Sequence, residues 1–170
     1  TGPLAGHAWL VALGARVTAG TTATAQRTLL RLAPSGQLVV PQLPLPTLTS
    51  PLDGATVPAA GFAVDFTLPT GSMYGTIDLR SDGAETRLWT VVVPPDATQF
   101  SFATLPTQAQ SPLVAGRTFT LTLTSYRDDA GFLLGQPDAY RDFTPYWVTI
   151  GAAERGVRAT SSRTITITTN

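Results

Sequence analysis

Apolar and polar positions alternate strictly in three stretches of the chain. In Phe62-Ala63-Val64-Asp65-Phe66-Thr67-Leu68 every second residue is large and apolar. A period of two puts Phe62, Val64, Phe66 and Leu68 on one face of a strand. Thr118-Phe119-Thr120-Leu121-Thr122-Leu123-Thr124 repeats the pattern, with Phe119, Leu121 and Leu123 inward and four threonines outward. Thr164-Ile165-Thr166-Ile167-Thr168 does so again near the C-terminus. Each predicts a strand with one buried and one solvated face.

Shorter segments predict further strands. Residues 76–80 offer Ile77 and Leu79 to one face. Residues 87–93 are apolar enough to be buried on both faces, Phe100 and Phe102 share a face, and residues 146–150 form another candidate. Turn-forming residues separate these segments: Pro69-Thr70-Gly71-Ser72, Ser81-Asp82-Gly83, Pro94-Pro95-Asp96, Val114-Ala115-Gly116 and Asp128-Asp129-Ala130-Gly131. Short strands alternating with turns predict an antiparallel sandwich or barrel. With 14 prolines and 15 glycines, few windows are long enough for a helix.

The first 46 residues read differently. Residues 8–13 predict a strand, and residues 28–32 and 37–40 predict a hairpin around Pro34-Ser35-Gly36. Residues 19–33 admit one helix instead, an alternative opposed by Thr21, Thr22, Thr24 and Thr28. Pro41-Gln42-Leu43-Pro44-Leu45-Pro46 has the composition of an extended, semi-rigid linker. The expected organisation is a small N-terminal β unit with its linker over 1–46, and a main β domain over 47–170. Three strands rarely bury a core of their own, so the small unit is expected to pack on the main domain or on a partner.

Composition narrows the classes of function. Charged residues make up 13% of the chain, about half the usual share of roughly 25%. Threonine, at 28 copies, takes the place of charge on the predicted strand faces. All 11 basic residues are arginine and the net charge is zero, which gives no electrostatic footprint for nucleic acid. The charge is unevenly spread, however. Residues 1–46 hold Arg16, Arg27 and Arg31 and no acid, so the remainder carries a matching negative excess. No apolar run is long enough to span a bilayer as a helix. The chain opens on Thr1 rather than Met, from which removal of a targeting segment is expected, with a lipid anchor upstream of Thr1 as one form of it.

The inventory of reactive side chains is short. There is no cysteine, no lysine and one histidine, His7. A Ser-His-Asp site needs a well-placed histidine base, and zinc or copper needs several His or Cys ligands. Glu85 and Glu154 are the two glutamates, both in turn-like contexts with nothing to pair them for acid–base work. The expectation is therefore a protein that is not an enzyme and holds no cofactor, with calcium as the one ion for which oxygen ligands gather. Asp128, Asp129, Asp138 and Asp142 cluster there beside Gly131, without the spacing of an EF-hand loop. The competing reading is a polar turn with Arg127 and Arg141 as partners. The same connection is rich in large apolar and aromatic residues. Phe132, Leu134, Tyr140, Phe143, Tyr146 and Trp147 make it a candidate partner-binding surface, or else a long loop folded over one end of the sandwich. Trp9 and Trp89 are read as core.

Two stretches carry a resemblance. Thr49-Ser50-Pro51-Leu52-Asp53-Gly54-Ala55-Thr56-Val57, followed by an alternating strand, resembles the opening of bacterial immunoglobulin-like and fibronectin type III-like domains. Ala115-Gly116-Arg117-Thr118-Phe119-Thr120-Leu121-Thr122-Leu123 and residues 161–167 resemble the last strands of such domains. The resemblance spans residues 47–168, about 70% of the chain, without the cysteine pair of antibody domains. The hairpin read at residues 32–43 is similar, more faintly, to the opening of carboxypeptidase regulatory-like modules. The resemblance implies an all-β, antiparallel immunoglobulin-like β-sandwich, which the small N-terminal β unit read above precedes. It also implies a place at the bacterial surface, periplasm or cell exterior. The function expected from it is a non-catalytic structural or interaction subunit of a larger envelope assembly, such as a surface layer or outer-membrane complex, bound to another envelope protein. The alternative is a carbohydrate- or small-ligand-binding module that uses the aromatic stretch 132–147.

Overall fold

The structure is a computed structural model that describes residues 9–20, 22–32, 42–81, 87–102, 113–128 and 156–170. At residues 9–13, 29–32, 87, 128 and 156–158 it describes the backbone alone. The described residues form ten strands and no helix. These are β1 (Trp9–Ala19), β2 (Thr22–Leu32), β3 (Thr47–Ser50), β4 (Thr56–Val57), β5 (Ala63–Thr67), β6 (Tyr74–Ser81), β7 (Arg87–Val93), β8 (Gln99–Ser101), β9 (Thr118–Asp128) and β10 (Gly156–Thr169).

The strands make two sheets. One has seven strands in the order β1-β2-β10-β9-β6-β7, with β4 lying parallel to the end of β10. The other is β3-β5-β8. Apart from β4 with β10, every pairing is antiparallel.

One buried cluster takes side chains from both sheets. Leu48, Val64 and Phe66 come from the smaller sheet; Ile77, Leu79, Phe119, Leu121, Leu123, Ile165 and Ile167 come from the larger. The alternation read in the sequence therefore points the expected residues inward: Phe62, Val64, Phe66 and Leu68 are all buried. Full burial of each such side chain contributes roughly 1.5–3 kcal/mol. Phe62 and Trp89 pack their rings around Phe102, at centroid distances of 4.8 and 5.9 Å.

Several elements depart from the sequence reading. The strand read at 28–32 is longer than expected, starting at Thr22 and excluding the helix alternative, because β2 finds partners on both sides, β1 and β10. The first strand runs to Ala19, well past residue 13, and the hairpin that the structure describes turns at Gly20, whose φ is +62°. The turn expected at residues 34–36 and the strands expected at 37–40 and 146–150 lie outside the described residues. Strand β7 is not buried on both faces. Thr90 is exposed on its outer face, while Trp89 and Val91 pack partly against the core on the other, and among the described residues the strand ends its sheet.

Residues 42–46 do not run free. Leu43 is 1% exposed and Pro46 is fully buried. Gln26 of β2 donates its Nε2 hydrogen to the Leu43 carbonyl at 2.8 Å, and Ser161 of β10 donates its hydroxyl to the Pro44 carbonyl at 2.6 Å. Gln26 and Ser161 face each other across the β2–β10 ladder. The proline-rich segment thus lies over the inner face of that ladder, where its carbonyls find donors that proline itself cannot supply.

Candidate functional site

Two surfaces of the seven-stranded sheet stand out once the register is followed. The first is its outer face. Thr118, Thr120, Thr122 and Thr124 of β9 stand opposite Thr168, Thr166, Thr164 and Ser162 of β10. Tyr126 stands opposite Thr160 and, on the other side, opposite Tyr74 of β6. The Tyr74 and Tyr126 rings stack at 4.6 Å, 8° from parallel.

The hydroxyls of this face bond sideways. Thr122 Oγ1 and Thr164 Oγ1 are 3.0 Å apart, and Thr90 donates to Asp78 Oδ1 at 2.6 Å. β-branched side chains in cross-strand pairs suit a solvated strand face. The chain's one histidine, His7, lies outside the described residues.

The second surface is the edge made by β1. Strand β2 pairs with β10 from Arg31↔Gly156 to Ala23↔Thr164, and β1 pairs with β2 along its whole length without a register shift. The outer face continues onto these strands: Thr160 is opposite Arg27, and Arg27 is opposite Gly14; Ser162 is opposite Ala25, and Ala25 is opposite Arg16. Arg16 and Arg27 are both exposed there. Gly14 makes room for its neighbours, since a Cβ at that position would stand 3.3 Å from the Gln26 carbonyl oxygen and 4.0 Å from Arg27 Cγ. Among the described residues β1 is paired on one side only.

The candidate residues of the sequence reading fall mostly outside this picture. Asp128 ends β9, its backbone opposite Arg158 of β10. Asp129, Asp138 and Asp142 lie outside the described residues, as do Phe132, Leu134, Tyr140, Phe143, Tyr146 and Trp147. Glu85 and Glu154 lie outside them too. Among the described residues there is no group of three or more His, Asp or Glu side chains placed to hold a metal ion, and no helix long and apolar enough to cross a membrane.

The sequence reading expected an arginine-bearing β unit with strands at 8–13 and 28–32, but not that these two strands form one hairpin turning at Gly20. Its signals were present: 24 residues, 9–32, without proline or acid, broken by one Gly-Thr pair. Compared with protein-family models, with curated proteins and with solved structures, the chain has no match.

Proposed function

We propose that this chain is a non-catalytic structural and interaction module of a bacterial cell envelope, an accessory subunit that docks another surface protein. The observation that carries the reading is the hairpin β1–β2. It is laid along β10 and gives the larger sheet a new eleven-residue edge bearing arginine. A sheet that ends in a long, regularly hydrogen-bonding edge is a natural template for another chain.

The scaffold in this proposal is an immunoglobulin-like or fibronectin type III-like sandwich. The strand order supports it. With the hairpin set aside, β3-β5-β8 faces the sequence β10-β9-β6-β7. That order corresponds to an A-B-E sheet and a G-F-C-C′ sheet of such sandwiches. The envelope placement rests on the resemblance to bacterial surface domains and on the threonine-rich, weakly charged strand faces; the fold by itself carries no function.

Size-exclusion chromatography of native extracts, with the chain detected by antibody, tests the proposal. The expected result is elution well above the mass of the 17.9 kDa chain, together with a partner in fixed ratio. Elution as a free monomer with no co-purifying partner contradicts it.

A further inference from the structure

We infer that the outer edge of β1 receives an extended, acid-bearing segment of a partner protein as an added strand. The inference rests on the docking-module reading and names the surface it uses.

The backbone parity of the sheet is fixed by hydrogen bonds on β10. The Thr166 N–H donates to Asp53 Oδ1 at 2.8 Å, the Thr168 N–H to the Ala55 carbonyl at 2.9 Å, and the Thr166 carbonyl accepts from the Gly54 N–H at 2.7 Å. Thr169, by contrast, bonds toward the start of β9, through the Arg117 carbonyl and the Gly116 N–H. Even-numbered residues of β10 therefore turn their N–H and C=O toward β2. Their partners Ala23, Ala25 and Arg27 turn theirs toward β10. In an antiparallel ladder the direction alternates residue by residue. Thr22, Thr24, Gln26 and Thr28 thus face β1, and their partners on β1 are Ala19, Val17, Ala15 and Leu13. The remaining backbone groups of β1, those of Leu10, Ala12, Gly14, Arg16 and Thr18, point away from the sheet. The 3.0 Å approach of the Thr122 and Thr164 hydroxyls agrees with this parity, since side chains come closest in the pairs that do not exchange backbone bonds.

Among the described residues, most of the devices that blunt an edge are missing from β1, Arg16 being its one charged side chain. It has no proline, no lysine and no acid, and its register with β2 is unbroken. The opposite edge of the sheet differs: β7 meets β6 through a register shift at Leu79/Arg80, and such an irregularity turns an edge away from regular pairing.

Charge selects the occupant. Arg16 and Arg27 stand exposed on one face of the hairpin, and residues 1–46 contain no acid to answer them. A second copy of β1 would bring another arginine and no counter-charge. A strand with Asp or Glu at alternate positions places carboxylates on the arginine face, where directly opposed cross-strand charges attract.

The test uses the full chain and two acetylated, amidated peptides, Thr-Glu-Val-Glu-Thr-Glu-Val-Glu-Thr and the same peptide with Lys for Glu. Amide hydrogen exchange is read with and without peptide. With the acidic peptide, the amides of Ala12, Gly14 and Arg16 are expected to gain protection, while those of Val11 and Leu13 do not change. Arg16→Glu is expected to weaken the acidic peptide on the order of tenfold, and Ala12→Pro, which removes one outward N–H, to abolish the gain. Lack of binding, protection gained elsewhere, or equal binding of the lysine peptide overturns the inference. Concentration-dependent dimers of the chain that Ala12→Pro dissolves would also overturn it, by giving the edge to a second copy. If a native partner co-elutes equally with the wild type and Ala12→Pro, the edge is wrong and the docking-module reading stands.

Discussion

At the scale of single residues, burial and bonding part company in one pair of serines. Ser125 and Ser161 face each other across β9 and β10, and both are buried. Ser161 donates to the Pro44 carbonyl, whereas the Ser125 hydroxyl has no partner among the described residues. A buried hydroxyl without a hydrogen bond carries a desolvation cost that its removal relieves. Ser125→Ala is therefore expected to leave stability unchanged or raise it by up to about 1 kcal/mol, and Ser161→Ala to lower it by about 1–2 kcal/mol. Urea unfolding of the two variants checks the opposed signs. Gly75 is a second tight position. A Cβ there would lie 2.9 Å from both Leu68 methyls and 3.1 Å from Val93 Cγ2. Leu68 and Val93 are buried against the core, so neither can swing away freely. Gly75→Ala is expected to cost about 1–3 kcal/mol by overpacking, seen as a lower urea midpoint with an unchanged slope.

At the scale of elements, one side chain ties three pieces of chain together. Asp53 accepts the Thr166 N–H through Oδ1 and the Thr22 hydroxyl through Oδ2. It takes up the backbone of β10 just past Thr164, the last β10 residue paired with β2, and pins the start of that strand. Asp53→Ala is expected to cost about 1 kcal/mol and to speed exchange of the Thr166 amide more than that of Thr122, which the change does not touch. The same region explains which elements could be read in the sequence. Alternation marks a strand when one face meets an apolar core, as in β5, most of β9 and the last third of β10. Over Ala159-Thr160-Ser161-Ser162-Arg163 the inward face meets Gln26, Thr28 and the carbonyls of the proline segment instead of hydrocarbon. Both faces of the strand are then small or polar, and no period of two appears. The first half of β2, before residue 28, hid for the same reason, its Thr24 and Gln26 facing that polar seam. The proline composition of 41–46 read as a free linker because carbonyl acceptors, unlike apolar side chains, leave no mark on a sequence pattern. The aromatic and acidic stretch was legible as composition, and its residues lie outside those described.

At the scale of the whole molecule, the hairpin and the main body share one sheet. Strand β10 serves both, pairing with β9 along eleven positions and with β2 along nine. The N-terminal unit has no need of a core of its own, because its backbone groups are satisfied by a strand that the main core already holds in place. The proposed docking edge depends on that continuity: a strand added to β1 gains a rigid template only if β2 is held by β10. Exchange of the Ala23, Ala25 and Arg27 amides, which turn toward β10, is the most direct measurement. The continuous sheet requires these amides to be strongly protected in the isolated chain and to be lost, on adding denaturant, close to the amides of β9. Exchange at the rate of an unstructured chain, with β9 still protected, would contradict it and leave the hairpin a separate appendage with no sheet behind its edge.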